Sequence, residues 1–123
     1  LSMVIASLGH TDQLVICDAG LPLPREAEIV DLALVPNVPR FIDTLKAVLE
    51  ELIVEKAILA KEIESINNGI LKEVKGLLEG IPIEYVTHEE FKNIYRKSNN
   101  TVFVRTGETS PYANIILISG VDF

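Results

Sequence analysis

A chain of 123 residues, 48 % hydrophobic and with a net charge of −7, has material for one domain and no basic face for nucleic acid or an anionic membrane surface. Its single cysteine, Cys17, excludes a disulfide framework and points to a reducing, cytoplasmic compartment. No signal-peptide pattern or bilayer-length apolar run is read, and a mean hydropathy of +0.30 in so short a chain leaves apolar surface for contacts between copies.

Residues 1–8 read as a helix stopped by Gly9 in a left-handed cap. Residues 13–18 (QLVICD) form a short apolar strand, and 19–24 (AGLPLP) a loop punctuated by glycine and proline. A second strand is expected over 28–35. Pro36 to Pro39 then breaks the chain and opens a helix with Phe41, Leu45, Val48, Leu49 and Leu52 on one face. Residues 56–60 read as a buried strand, about 70–78 as a helix ended by Gly80 and Pro82, and 83–86 as a strand. Thr87 and Glu90 have capping-box spacing for a helix through about Arg96. Strands over 101–105 and 114–118 complete the chain. Short apolar strands alternating with amphipathic helices predict an α/β fold, a single domain over 1–123 with a mainly parallel sheet covered by helices. In such sheets sites gather at strand ends, where Asp18, His88, Arg105 and the loop before Asn114 all fall.

The chain has two histidines, the side chain whose ordinary pKa lies nearest neutrality. His10 precedes the first strand, with Asp12 two residues on and Asp18 at that strand's far end. It reads either as a general acid whose imidazolium one of these carboxylates favours, or as a loop histidine beside a helix cap. His88 opens a helix, where a neutral ring suits hydrogen bonding to a hydroxyl; a solvated first-turn residue is the alternative. Asp18 is either a turn former or an acceptor for sugar hydroxyls, and Asp31 reads as solvent-facing. Tyr112 and Asn114 lie in a polar stretch between two apolar strands and offer groups suited to a polyhydroxy ligand, although a plain turn-rich loop has similar composition. No phosphate loop, dinucleotide fingerprint, nucleophile elbow or metal-ligand spacing is present in the sequence, so no metal site is expected.

Leu8-Gly9-His10-Thr11-Asp12, Asp18-Ala19-Gly20-Leu21-Pro22, Thr87-His88-Glu89-Glu90-Phe91, Arg105-Thr106-Gly107-Glu108 and Pro111-Tyr112-Ala113-Asn114 together resemble the D-ribose pyranase family of sugar mutarotases, relatives of the L-fucose mutarotases. The resemblance is collinear and covers essentially the whole chain. It implies cofactor-independent interconversion of β-pyranose and β-furanose D-ribose. By matching motif, His10 takes the proton-donor role. Asp18, His88, Tyr112 and Asn114 take substrate-binding roles, with Ala113 contributing backbone. The family also implies a ring-shaped homo-oligomer, a decamer of two stacked pentamers with sites near subunit boundaries, and a short segment ahead of Leu1. A mutarotase for another sugar such as L-fucose, a non-catalytic sugar-binding module linked to transport, and a purely structural oligomer are the alternatives.

Overall fold

The apolar runs of the sequence become the middle of one sheet, and their alternation feeds two separate apolar layers. The computed structural model describes residues 1–121. In chain order the elements are α1 (Ser2–Ser7), β1 (Gln13–Cys17), β2 (Glu28–Asp31), α2 (Phe41–Leu49), β3 (Val54–Ala60), α3 (Ile63–Ile66), α4 (Asn68–Leu77), β4 (Ile83–Val86), α5 (His88–Lys97), β5 (Thr101–Arg105) and β6 (Ile115–Ser119). The strands form a six-stranded sheet in the order β2-β5-β1-β6-β3-β4. The β2–β5, β5–β1 and β3–β4 pairs are parallel, whereas β6 runs antiparallel to both β1 and β3. The α/β reading with a mainly parallel sheet therefore holds, with one inverted strand at its centre.

Leu14, Ile16, Leu59, Ile115 and Leu117 face one layer, closed by Phe41, Leu45 and Val48 of α2 and Leu71 and Val74 of α4. Val15, Cys17, Ile58, Phe103 and Ile116 face the other, closed by Phe91 and Tyr95 of α5 together with Leu21. This is period-2 alternation on a sheet covered on both faces.

Two expectations need correction, and one element went unread. Gly9 does not cap α1 in the left-handed region: the helix ends at Ser7, Leu8 is extended, and the left-handed residue is Thr11, with φ 71°. The strand expected over 28–35 stops at Asp31, whose Oδ1 accepts the Ala33 N–H at 3.1 Å and turns the chain. Residues beyond it fold into a tight turn with a Val35–Val38 bridge, leaving Leu34 and Val35 exposed. The unread element is α3, a single turn too short to show a helical period.

That tight turn packs against Gly107, whose N–H donates to Pro39 O at 2.9 Å. A Cβ at position 107 would lie 2.6 Å from Val35 O and 2.7 Å from Val38 N and O. Backbone cannot yield as a side-chain tip can, so Gly107→Ala is expected to destabilise the protein by about 1–3 kcal/mol in thermal unfolding. Gly76→Ala, in open helical space, is the control and is expected to stabilise by about 0.5–1 kcal/mol. Equal melting temperatures for the two variants would contradict this account.

Candidate active site

Because β6 is inverted, its amino end lies at the same edge as the carboxyl ends of the parallel strands. Asn114, just before β6, thereby meets Asp18, just after β1. The Asp18 N–H donates to Asn114 Oδ1 at 2.8 Å, and Asn114 Nδ2 donates to Asp18 Oδ2 at 3.2 Å. The remaining carboxylate oxygen accepts the Gly20 N–H at 3.0 Å. Burial pushes the Asp18 carboxyl above its ordinary pKa, against the opposing pull of Gly20, Asn114, Leu21 and His88. Asn114 is almost wholly buried. The pair thus presents a fixed carboxylate and amide at the edge of the sheet.

His88 reaches the same place from α5. Thr87 is the N-cap, its Oγ1 accepting the Glu90 N–H at 3.1 Å, as the capping-box spacing predicts. The His88 N–H donates to both oxygens of Glu62, at 3.0 and 3.1 Å, which ties the start of α5 to the chain following β3. Its ring stands edge-on to Tyr112, with centroids 5.1 Å apart and an 84° interplanar angle. The Nδ1 atom is buried and has no hydrogen-bond partner. Buried polar atoms are rarely left this way, and such an atom beside a cleft marks a place for a ligand group.

Tyr112 sits at φ 58°, in the left-handed region that bulky residues avoid. Its loop is held from two sides. Asn67 Nδ2 donates to Ser110 Oγ at 3.0 Å and to Pro111 O at 2.8 Å. Glu108, fully buried, accepts the Phe41 N–H at 3.0 Å, the Ser110 hydroxyl at 2.7 Å and Arg40 Nη2 at 3.1 Å. Burial raises the Glu108 pKa, but these hydrogen bonds and the Arg40 charge outweigh it and hold the carboxyl below its ordinary value.

Asp18, His88, Glu108, Ser110, Tyr112 and Asn114 line one open cleft of about 530 Å³. That is pocket-sized for a small polar molecule. Ala113 is fully buried behind it. Cys17, beneath Asp18, is no nucleophile: burial first, then the Asp18 charge, pushes its thiol up to about 12. Asp31 is exposed at the end of β2, as expected. Glu108, Ser110, Asn67 and Glu62 received no role from the sequence. Apart from the Ser110–Glu108 bond, two residues apart, their partners lie 26 to 68 residues away, and no local pattern announces those.

His10 does not reach this cleft in its own chain. It lies before β1, at the sheet edge where Thr11 N–H donates to Ser119 O, whereas Asp18 lies beyond the other end of β1. Five strand residues separate the two edges, roughly 17 Å of sheet. Neither carboxylate expected beside it is its partner. Asp12 instead accepts the Gly9 N–H at 2.8 Å, and His10 Nε2 lies 2.9 Å from Glu55 Oε2. Among the described residues, no cluster of three or more His, Cys, Asp or Glu is arranged to hold a metal ion, and no helix is long and apolar enough to cross a membrane.

Fold and cleft define a small α/β protein with a polyol-sized polar site at its strand ends. The chain belongs to the RbsD/FucU transport protein family, whose model matches residues 1–122. It is 48 % identical over 123 residues to a D-ribose pyranase of Geobacillus thermodenitrificans, covering 100 % of this chain and 92 % of the relative. The structure of Bacillus subtilis RbsD complexed with D-ribose superposes with a TM-score of 0.94 at 45 % identity, covering 99 % of this chain and 92 % of that one. The fucose mutarotase of Streptococcus pneumoniae, in complex with L-fucose, gives a TM-score of 0.81 at 25 % identity, covering 98 % and 91 %.

Proposed function

We infer that this chain is a D-ribose pyranase, a cofactor-independent isomerase exchanging the β-pyranose and β-furanose rings of D-ribose. The observation that carries the reading is the meeting of Asp18, His88, Tyr112 and Asn114 on one cleft in a chain with such full-length relatives. Asp18 and Asn114 hold sugar hydroxyls, a further hydroxyl satisfies His88 Nδ1, Tyr112 offers its ring face, and Ala113 sets the backbone between Tyr112 and Asn114.

Opening the pyranose breaks the bond between C1 and the ring oxygen. That oxygen gains a proton from His10, and the C1 hydroxyl loses one to water. Reclosure by the neighbouring hydroxyl reverses both transfers and leaves no net change in protons. Positioned acid catalysis contributes roughly 10²–10⁴-fold, and holding the open chain for attack by one hydroxyl adds a proximity effect.

A single copy separates donor and cleft by the length of its strands, so His10 enters the cleft of a neighbouring copy. Where such a contact is head-to-tail and its rotation closes, it builds a ring. A pentameric ring, doubled into a decamer, accords with this geometry and gives the exposed Leu34, Val35 and Val38 a place to be covered. A buried lone cysteine accords with a cytoplasmic location.

Saturation-transfer NMR on ribose tests the reading. Catalytic amounts of protein should speed pyranose–furanose exchange, and do so more than anomer exchange of L-fucose. Saturable ribose binding without acceleration would instead identify a binding module, and the reverse sugar preference a fucose mutarotase.

A further inference from the structure

We propose that Glu55 is the positioning residue for the proton donor: it holds His10 Nε2 and leaves Nδ1 as the atom that meets the sugar. This rests on the reading of His10 as the donor.

The contact itself is short, Nε2 to Oε2 at 2.9 Å, and joins residues 45 positions apart. What surrounds it is a purpose-built arrangement of backbone. In the β3–β6 pairing Val54 lies opposite Ser119 and Lys56 opposite Ile118, so Glu55 is the extra residue of a β-bulge. Strict alternation from Ala57 and Leu59 would point Glu55 into their apolar layer. The bulge lets Val54 pack against that layer instead and turns Glu55 outward. Bulges that re-aim a side chain are characteristic of functional edges.

Position 120 is matched to it. A Cβ on Gly120 would stand 3.3 Å from Glu55 Cβ and 3.4 Å from Glu55 N, while the Gly120 N–H donates to Ile53 O at 2.8 Å. Glycine allows the two strands to close around the bulge.

The histidine side is equally constrained. His10 stands in a turn closed by Asp12 N–H to Gly9 O at 3.1 Å and by the Gly9 N–H to Asp12 Oδ2 at 2.8 Å. The turn is fastened to β6 by Thr11 N–H to Ser119 O at 2.9 Å and Ser119 N–H to Asp12 O at 2.8 Å. Thr11 occupies the left-handed region, at φ 71°. The His10 and Glu55 side chains are 52 % and 42 % exposed, and an ion pair so wetted adds little stability. It does not offset a left-handed threonine and a bulge, so holding the two fold is not what the pair is for.

The chemical consequence concerns the tautomer. The carboxylate accepts the Nε2 proton, so the neutral ring keeps Nδ1 bare as a base and the charged ring carries its mobile proton there. In ring opening the Nδ1 proton passes to the ring oxygen as its bond to C1 breaks, while water takes the C1 hydroxyl proton. In reclosure Nδ1 receives the proton of the attacking hydroxyl, and water returns one to the aldehyde oxygen.

The test uses full-length Glu55→Gln, Glu55→Ala and His10→Ala proteins, with ribose exchange measured over a range of sugar concentrations. The ring-nitrogen NMR of isotope-labelled histidine is recorded alongside; with two histidines in the chain, His10→Ala assigns the signals. Glu55→Ala should lower kcat on the order of 10- to 100-fold with KM little changed, the range seen when carboxylates that orient metal-bound imidazoles through the far nitrogen are removed. The neutral His10 ring should shift from the Nε2–H form to a mixture. Glu55→Gln, which keeps an acceptor and loses the charge, should fall between, and Glu55→Ala should cost nothing further on a His10→Ala background. Wild-type kcat in Glu55→Ala beside an inactive His10→Ala overturns the Glu55 role alone, as does a change confined to KM or an unaltered tautomer. Full activity in His10→Ala overturns the reading beneath it.

Discussion

His10→Ala is expected to slow ribose ring exchange by roughly 10²–10⁴-fold while leaving the fold intact. The side chain is 52 % exposed and contributes to neither apolar layer, so its removal should change stability by less than about 0.5 kcal/mol. Asp18→Ala should be inactive for a different reason, since it strips the cleft of its carboxylate and releases Asn114. The two inactive chains make a sharper experiment together. If each site draws His10 from one subunit and Asp18 from the next, dissociating the variants and reassembling a 1:1 mixture restores intact pairs at about a quarter of the sites by random placement. Exchange should then reappear in the mixture although neither parent shows it. A mixture as inactive as its parents would mean that donor and cleft do not meet across subunits. With the sheet between them in a single chain, the acid role of His10 would then have no route to the sugar.

The strand pattern was readable because residues 14–17, 102–104 and 115–118 are unbroken apolar runs, which is how strands covered on both faces look. The inversion of β6 left no mark: a short apolar strand reads the same in either direction. Yet that inversion brings Asn114 to Asp18, so the pairing at the heart of the cleft was invisible although both residues were candidates. Their chemical types were legible because strand ends followed by glycine, proline and polar loops are few in so small a chain. Supporting residues were not. Glu108 lies in a stretch whose resemblance to a family was clear, but its acceptor role depends on Phe41, Ser110 and Arg40 arriving from elsewhere. The carboxylate partner of His10 was misread in a way sequence reasoning cannot repair. Asp12 was the nearest carboxylate along the chain, whereas the partner in space, Glu55, faces outward because of a bulge that no periodicity reveals.

Glu108→Ala should be the most destabilising substitution near the cleft, by about 3 kcal/mol at neutral pH. It removes a fully buried carboxylate that accepts the first N–H of α2, and it leaves that N–H and the Ser110 hydroxyl unpaired. Arg40 is half exposed and can return to water, which keeps the loss from being larger. The charge adds a pH signature. The Glu108 pKa is lower in the folded protein than the usual glutamate value of 4.5, so the unfolded chain binds the proton more readily. Its contribution is therefore present in full above pH about 4.5 and is lost as pH falls through the folded value. Glu108→Gln keeps the shape and one acceptor but cannot ionise; it should lose less stability at neutral pH and show a flatter acid limb. Unfolding from pH 7 to 3 at fixed protomer concentration, because assembly shifts apparent stability, would reveal this. Superimposable acid limbs for wild type and Glu108→Gln would refute it. Asp18 has the opposite sign: burial raises its folded pKa, so its ionisation opposes folding as pH rises through the unfolded value. Two carboxylates on one cleft thus pull stability in opposite directions. The one at a net cost when charged is the one placed to hold the sugar, and the one that favours the fold secures the loop carrying Tyr112.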